Sequence, residues 1–197
     1  MTASDDRATT TPAVGATAAT GSPASATTIR RGTAHDAGTV AELHSLSWRT
    51  AYTGIVPEEA LGDGLPAERH EVWSLRLAVD YGEPANTPEL LIAEQAGAAV
   101  GFAYLVPQPD GRVLLDNLHV RPGRTGGGIG RALLDTARAH VARRHPGADL
   151  YLEVLCANTR AVAFYEREGG RRTAQREGVF PGGHVLPEYE YTWPAAG

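Results

Sequence analysis

The run Leu118-His119-Val120-Arg121-Pro122-Gly123-Arg124-Thr125-Gly126-Gly127-Gly128-Ile129-Gly130 constrains the chain more than any other stretch. A strand-like apolar segment stops, a glycine-rich turn follows, and a strongly periodic helix starts at once. Glycine lets backbone N–H groups come close to a ligand, and the helix N-terminus behind them carries partial positive charge. Such a junction can hold a phosphate or pyrophosphate. As a bare spacing it is also compatible with a plain flexible loop.

The helix behind the turn is expected over 129–144. Its apolar positions Ile129, Ala132, Leu133, Ala137 and Val141 recur at helical spacing, with Arg131, Asp135 and Arg138 on the opposite face. Pro146-Gly147 ends it, and 149–155 reads as a buried strand. A strand, a helix and another strand imply a right-handed crossover between parallel neighbours. Upstream, 29–33 reads as a short strand. Thr33 and Asp36 fit a capping box ahead of a helix carrying Val40, Leu43, His44 and Ser47, which Gly54 and Pro57 break. A second helix is expected over 66–79. The runs 90–94 and 99–106 flank a turn and read as a hairpin, followed by a strand over 112–120. A short helix spans about 158–168, and 171–179 with 185–193 form a last antiparallel pair. The order β-α-α-β-β-β-α-β-α-β-β describes an α/β fold with one mixed sheet and helices on both faces.

Residues 1–28 are almost entirely Ala, Thr, Ser, Gly, Pro and Asp, without periodicity. Such a segment buries too little apolar area to offset the cost of ordering, so a disordered tail is expected, with the folded domain over 29–193. The net charge of −5 gives no reason to expect a nucleic-acid partner. The single cysteine, Cys156, excludes an internal disulfide and a clustered cysteine metal site. No metal is expected. No apolar run approaches the ~20 residues of a membrane span, and no signal-peptide core is present, so the expected location is the cytoplasm.

All 18 basic residues are arginine. The absence of lysine removes Schiff-base chemistry and the Walker A loop, whose lysine reaches the phosphates. A dinucleotide fingerprint Gly-x-Gly-x-x-Gly/Ala fails as well. Counted from Gly126 its last position is Arg131, and from Gly128 it is Leu133.

A third pattern fits better. Val120, Pro122, Gly126, Gly128, Ile129, Gly130 and Leu133-Leu134 resemble the acetyl-CoA-binding motif of the GCN5-related N-acetyltransferase (GNAT) superfamily. There the amides of a Gln/Arg-x-x-Gly-x-Gly/Ala turn hold the CoA pyrophosphate. Gly128-Ile129-Gly130 fills the Gly-x-Gly part, while Thr125 stands where Arg or Gln is usual and Arg124 lies one position early. Downstream, Asn158 to Glu166 resembles the family's Asn-x-x-Ala-x-x-Phe-Tyr-Glu helix, although Gly170 replaces the usual phenylalanine after Gly169. Trp48-Arg49-Thr50-Ala51-Tyr52 with Gly54 also looks like bacterial members. The resemblance covers about residues 29–193. It implies a central parallel pair splayed around acetyl-CoA as acyl-donor cosubstrate, and an amine that attacks the thioester directly in a ternary complex.

That chemistry asks for a neutral amine, a stabilised oxyanion and a proton for the departing thiolate. By resemblance the main chain of Leu118, His119 and Val120 lies beside the acetyl group. The turn of Thr125, Gly126, Gly127, Gly128, Ile129 and Gly130 takes the pyrophosphate. Arg131 adds a charge there or pairs with Asp135. Asn158 contacts the pantetheine arm or caps its helix. Tyr165 is the expected general acid. For the base, Glu153 ranks first and Asp116 second, with His119 or a relayed water as alternatives. His44, Trp48 and Tyr52 share one helical stripe that can touch the acceptor or pack in the core. The expected acceptor is a small-molecule amine. A protein or peptide amine, or a CoA-binding module without turnover, are the alternatives. Gly182-Gly183-His184 reads as a mobile loop, and a homodimer is possible.

Overall fold

The computed structural model describes residues 26–180 and 184–195. The expected disordered tail lies, up to residue 25, outside the described residues, as do Gly182 and Gly183 of the expected mobile loop. Seven strands form one sheet: β1 (Thr28–Arg31), β2 (Glu89–Gln95), β3 (Ala98–Pro107), β4 (Val113–Val120), β5 (Leu150–Leu155), β6 (Arg171–Phe180) and β7 (His184–Trp193). Among the described residues four α-helices join them: α1 (Ala37–Tyr52), α2 (Leu65–Ala78), α3 (Ile129–Arg144) and α4 (Thr159–Arg167). The element order is the one the periodicities predict.

The spatial order is β1-β2-β3-β4-β5-β7-β6. Every neighbouring pair is antiparallel except β4 and β5, the parallel pair that α3 connects. The last strand inserts between β5 and β6. A sequence can announce two final strands as a hairpin, but which of them reaches the sheet is decided by packing. Here the apolar face of Tyr189, Tyr191 and Trp193 places β7 in the core beneath α3 and α4.

The sheet buries both faces, as strands under a crossover must. On one face α3 sets Ile129, Leu133, Leu134, Ala137 and Val141 against Val113, Leu115, Leu150, Leu152 and Val154. On the other, α1 and α2 bring Val40, Leu43 and Trp73 onto Leu90, Ile92, Phe102 and Tyr104. Thr33 donates its backbone N–H to Asp36 Oδ2 at 2.8 Å, the reciprocal arm of the expected capping box. A short 3-10 turn, Ala34–Asp36, then feeds α1.

Plain alternation predicts β4 wrongly. Tyr104 pairs with Asn117 but Leu105 pairs with Leu115, so Asp116 is an extra residue, a β-bulge. The bulge shifts the inside–outside parity. Val113 and Leu115 before it, and Leu118 and Val120 after it, all pack toward α3. Asn117 and His119 are turned to the α1 side.

The β2–β3 hairpin closes through Ala96 and Gly97, both at positive φ, 49° and 76°. This is the backbone of a type I′ turn, which favours Asn-Gly. Alanine in the left-handed region is strained by roughly 1 kcal/mol. Ala96→Asn is therefore expected to raise the unfolding free energy by up to about 1 kcal/mol in urea titration. An unchanged midpoint would show that the turn carries no such strain.

Candidate active site

The parallel strands stay paired only at Val113 with Leu150 and Leu114 with Tyr151. Beyond that point β4 continues on β3 alone and β5 on β7 alone. The facing edges of 115–120 and 152–155 diverge, leaving backbone N–H and C=O groups available to whatever lies between them. The divergence begins where the Asp116 bulge bends β4.

At the end of β4 the chain enters the glycine turn. Gly123, Gly126 and Gly128 have φ of 80°, 87° and 79°, a region side chains rarely adopt. A β-carbon at Gly126 or Gly128 would meet no described atom within 4 Å, so the turn is open where their side chains would stand. The first bond of α3 runs from Ala132 N–H to the Gly128 carbonyl at 2.9 Å. The N–H groups of Ile129, Gly130 and Arg131 precede it and have no helical acceptor. At Gly130 a β-carbon would stand in ordinary contact, 3.4 Å from the Phe164 ring and 3.7 Å from Val120. Thr125 and Gly127 lie within the turn. The Arg131 guanidinium is drawn aside, 3.6 Å from both Asp135 and Glu168.

α4 closes the same end. Asn158 Oδ1 caps it by accepting the Ala161 N–H at 3.2 Å, which leaves the side-chain amide N–H groups for another partner. Tyr165 is buried among Phe164, Tyr191 and Trp193, with ring centroids 5.2, 6.3 and 6.0 Å away. Burial, then the neighbouring Tyr52, pushes its phenol well above the ordinary tyrosine value, so it holds its proton.

A cavity of about 170 Å³ opens between the diverging strands on the α1 side. Trp48 and Tyr52 form one wall, Leu114, Leu115, Asp116, Asn117 and His119 the β4 wall, and Glu153, Leu155 and Glu188 the far wall. The two carboxylates expected as bases both have cations. Asp116 Oδ2 accepts from Arg76 and, at 2.6 Å, from the Asn117 amide. Glu153 lies 2.9 Å from Arg176. Glu188 is a residue the sequence reading missed. It faces Leu155 across the β5–β7 ladder. Burial, then the charge of Glu153, raises its carboxyl above the ordinary glutamate value. Its alternation with Glu190 was visible in the sequence, but its place beside β5 depends on the strand order.

The expected stripe on α1 divides. Trp48 and Tyr52 reach the cavity, whereas His44 lies one layer back, 3% exposed. Its Nδ1 accepts the Trp73 indole N–H at 2.9 Å, and its ring centroid is 4.8 Å from that of His119. Burial first, then His119, Arg69 and Arg76, lowers His44 to about 2. His119 is lowered to about 4 by burial alone. Ser47 Oγ donates to the His44 carbonyl at 3.0 Å, so its lone pair faces His119 Nδ1 at 2.8 Å. That geometry assigns the proton of neutral His119 to Nδ1 and leaves Nε2 as an acceptor.

A family model described as the acetyltransferase (GNAT) family matches residues 40–170. A probable N-acetyltransferase of Mycobacterium tuberculosis is 30% identical over 136 residues, covering 66% of this chain and 71% of that one. A mycothiol acetyltransferase of Propionibacterium freudenreichii is 42% identical over 99 residues, 48% of this chain. The match spans 30% of that relative's own length. Among solved structures, the PaiA N-acetyltransferase of Thermoplasma acidophilum in complex with coenzyme A aligns with a TM-score of 0.65 at 22% identity. The alignment covers 84% of this chain and 99% of that one, and it shows a shared fold.

The two neighbouring histidines, His44 and His119, give a measurable signature. Their folded pKa values lie below the ordinary 6.5, so under pH 6.5 the unfolded chain binds more protons than the folded one. Their contribution to stability is present above pH 6.5 and is lost as pH falls toward about 4 for His119 and about 2 for His44. Nitrogen-detected NMR is expected to show His119 neutral at pH 6 with the proton on Nδ1. Titration of His119 near 6.5 would contradict the burial argument.

Proposed function

Since the chain belongs to the GNAT acetyltransferase family, we propose that it transfers the acetyl group of acetyl-CoA to the primary amine of a small molecule. The amine attacks directly within a ternary complex. One observation carries the reading: the diverging parallel strands open at one end onto the glycine turn and α3 N-terminus, and on one face onto a small aromatic-walled cavity.

The residues present fit the cosubstrate. Gly126 and Gly128, with open space where side chains would stand, allow backbone amides to approach a pyrophosphate, and the α3 N-terminus favours its charge. Arg131 is engaged by two carboxylates and Thr125 is uncharged, so the main chain holds most of the anion. Asn158 can offer its side-chain N–H to an amide-bearing arm between β4 and β5. Bound there, acetyl-CoA supplies an activated acyl carbon and, in its thiol, a leaving group.

The chain's own groups then have separable tasks. The unpaired edge of β4 at Leu118, His119 and Val120 directs main-chain donors toward the carbonyl oxygen that gains negative charge. Tyr165 keeps its proton through burial and gives it to the departing sulfur. Trp48 and Tyr52 wall the acceptor cavity and exclude water from it. A cavity of about 170 Å³ suits a small amine. The matched region of a relative named for mycothiol supports the same class.

The test is release of CoA thiol from acetyl-CoA with a panel of primary amines. Amine-dependent release supports the reading, whereas acetyl-CoA binding without amide formation from any amine favours a non-catalytic module. Tyr165→Phe retains the ring packing and removes only the hydroxyl. It is expected to lower kcat by about 10²-fold with acetyl-CoA affinity nearly intact. Unchanged turnover would remove Tyr165 as the acid.

A further inference from the structure

Four carboxylates stand on the cavity side of β4, β5 and β7. Arg76 holds Asp116, and Arg176 holds both Glu153 and Glu190. Glu190 also receives the Thr173 hydroxyl at 2.7 Å and lies 3.2 Å from Arg112. Among the described residues Glu188 makes no ion pair: Arg176 lies across from it on β6, but its guanidinium is engaged by Glu153 and Glu190. It still faces the cavity, in the wall opposite Trp48 and His119.

The neighbouring strand is shaped around this carboxylate. On β6, Gly178 sits beneath it. A β-carbon at 178 would coincide with the Glu188 carboxylate and touch no other heavy atom as closely. No positive φ requires glycine at this position. The missing side chain serves to leave room for Glu188.

We propose that Glu188 is the catalytic base of this site, the carboxylate that receives the acceptor as an ammonium ion and takes the proton that frees its nitrogen lone pair. The inference rests on the acetyl-transfer reading above. A carboxylate clamped by a guanidinium is a poor base, because the cation stabilises its ionised form. That weakens the case for Glu153 and Asp116. His119 is a base in geometry, but taking a proton would make it a buried cation, which burial disfavours, whereas a protonated carboxyl is neutral. Glu188 has uncommitted oxygens, and burial together with Glu153 outweighs the opposing pull of Arg176 and strengthens its hold on a proton.

The protons balance. The nitrogen lone pair forms the C–N bond, and the C–S pair leaves with sulfur. Of the two protons the nitrogen loses, Glu188 takes the first and returns it to solvent. The second replaces the proton that Tyr165 gives to sulfur. The acceptor class is thus a primary alkylamine that arrives as a cation.

The experiment uses the full chain, acetyl-CoA and three probe amines (spermidine, glucosamine and lysinamide), with amide formation read by mass spectrometry and acetyl-CoA affinity by calorimetry. Glu188→Gln is expected to lower kcat/KM for the best probe by about 10²-fold, with the acetyl-CoA Kd within about twofold of wild type. Gly178→Ala should fold, because its β-carbon meets only the far end of a flexible side chain. It should lose activity comparably by displacing the carboxylate, and the double variant should lose no more than either single one. Losses that multiply, a Glu188→Gln enzyme within about threefold of wild type, or an equal fall in acetyl-CoA affinity would each overturn the role of Glu188. Wild-type protein that binds acetyl-CoA and forms no amide with any probe would instead overturn the acetyl-transfer reading itself.

Discussion

The single extra residue at Asp116 is the constraint from which the rest of the site descends. A regular β4 would alternate through Leu118 and His119 so that the histidine packed beneath α3 and the leucine faced α1. The bulge reverses that parity and adds a local bend. It keeps both faces of the sheet apolar where helices cover them, turns Asn117 and His119 toward α1, and coincides with the loss of pairing to β5. Opening a parallel pair inside a sheet exposes backbone groups that would otherwise be satisfied. Such an arrangement persists because neighbours hold each strand from its outer edge, β3 on one side and β7 on the other.

β7 contributes more than support. Its insertion beside β5 places Glu190 directly across from Glu153. Like charges in that position repel, and Arg176 from β6 bridges them. The same strand, two residues earlier, carries Glu188, which lies across from Arg176 on β6 but forms no ion pair with it among the described residues. One ladder register therefore produces both a carboxylate pair bridged by a guanidinium and a carboxylate that feels the same cation without an ion pair to it. This separation of roles has no counterpart in local sequence, since Glu188 and Glu190 look alike on paper.

Legibility follows the range of the interactions. The glycine turn, the periodicity of α3 and the Asn158-to-Tyr165 helix are local patterns whose physics acts within a few residues, and each was readable as local structure. The capping box at Thr33 and Asp36 was readable for the same reason. The bulge was not, because Asp116 has no turn residue or glycine to mark it; its cause is the joint demand of the helices on the two faces. The order β5-β7-β6 was equally hidden, and with it Glu188. The stripe of His44, Trp48 and Tyr52 was found by spacing, but how it divides between core and cavity depends on Trp73, which captures His44 from the neighbouring helix.

Burial acts on several titratable groups in and around the cavity with a common outcome. It lowers His44 and His119 and raises Tyr52, Tyr165 and Glu188, in each case toward the uncharged form. A site that disfavours charge on its own groups also disfavours it on a ligand, so an alkylammonium entering it is pressed to give up a proton. Where that proton goes is then a matter of which group has a free lone pair and the affinity to keep it. Ser47 holds His119 in the tautomer with Nε2 open, but its affinity is low. Glu188 combines an open oxygen with raised affinity. The desolvation that makes the ammonium unstable is the same force that makes this carboxylate able to receive its proton.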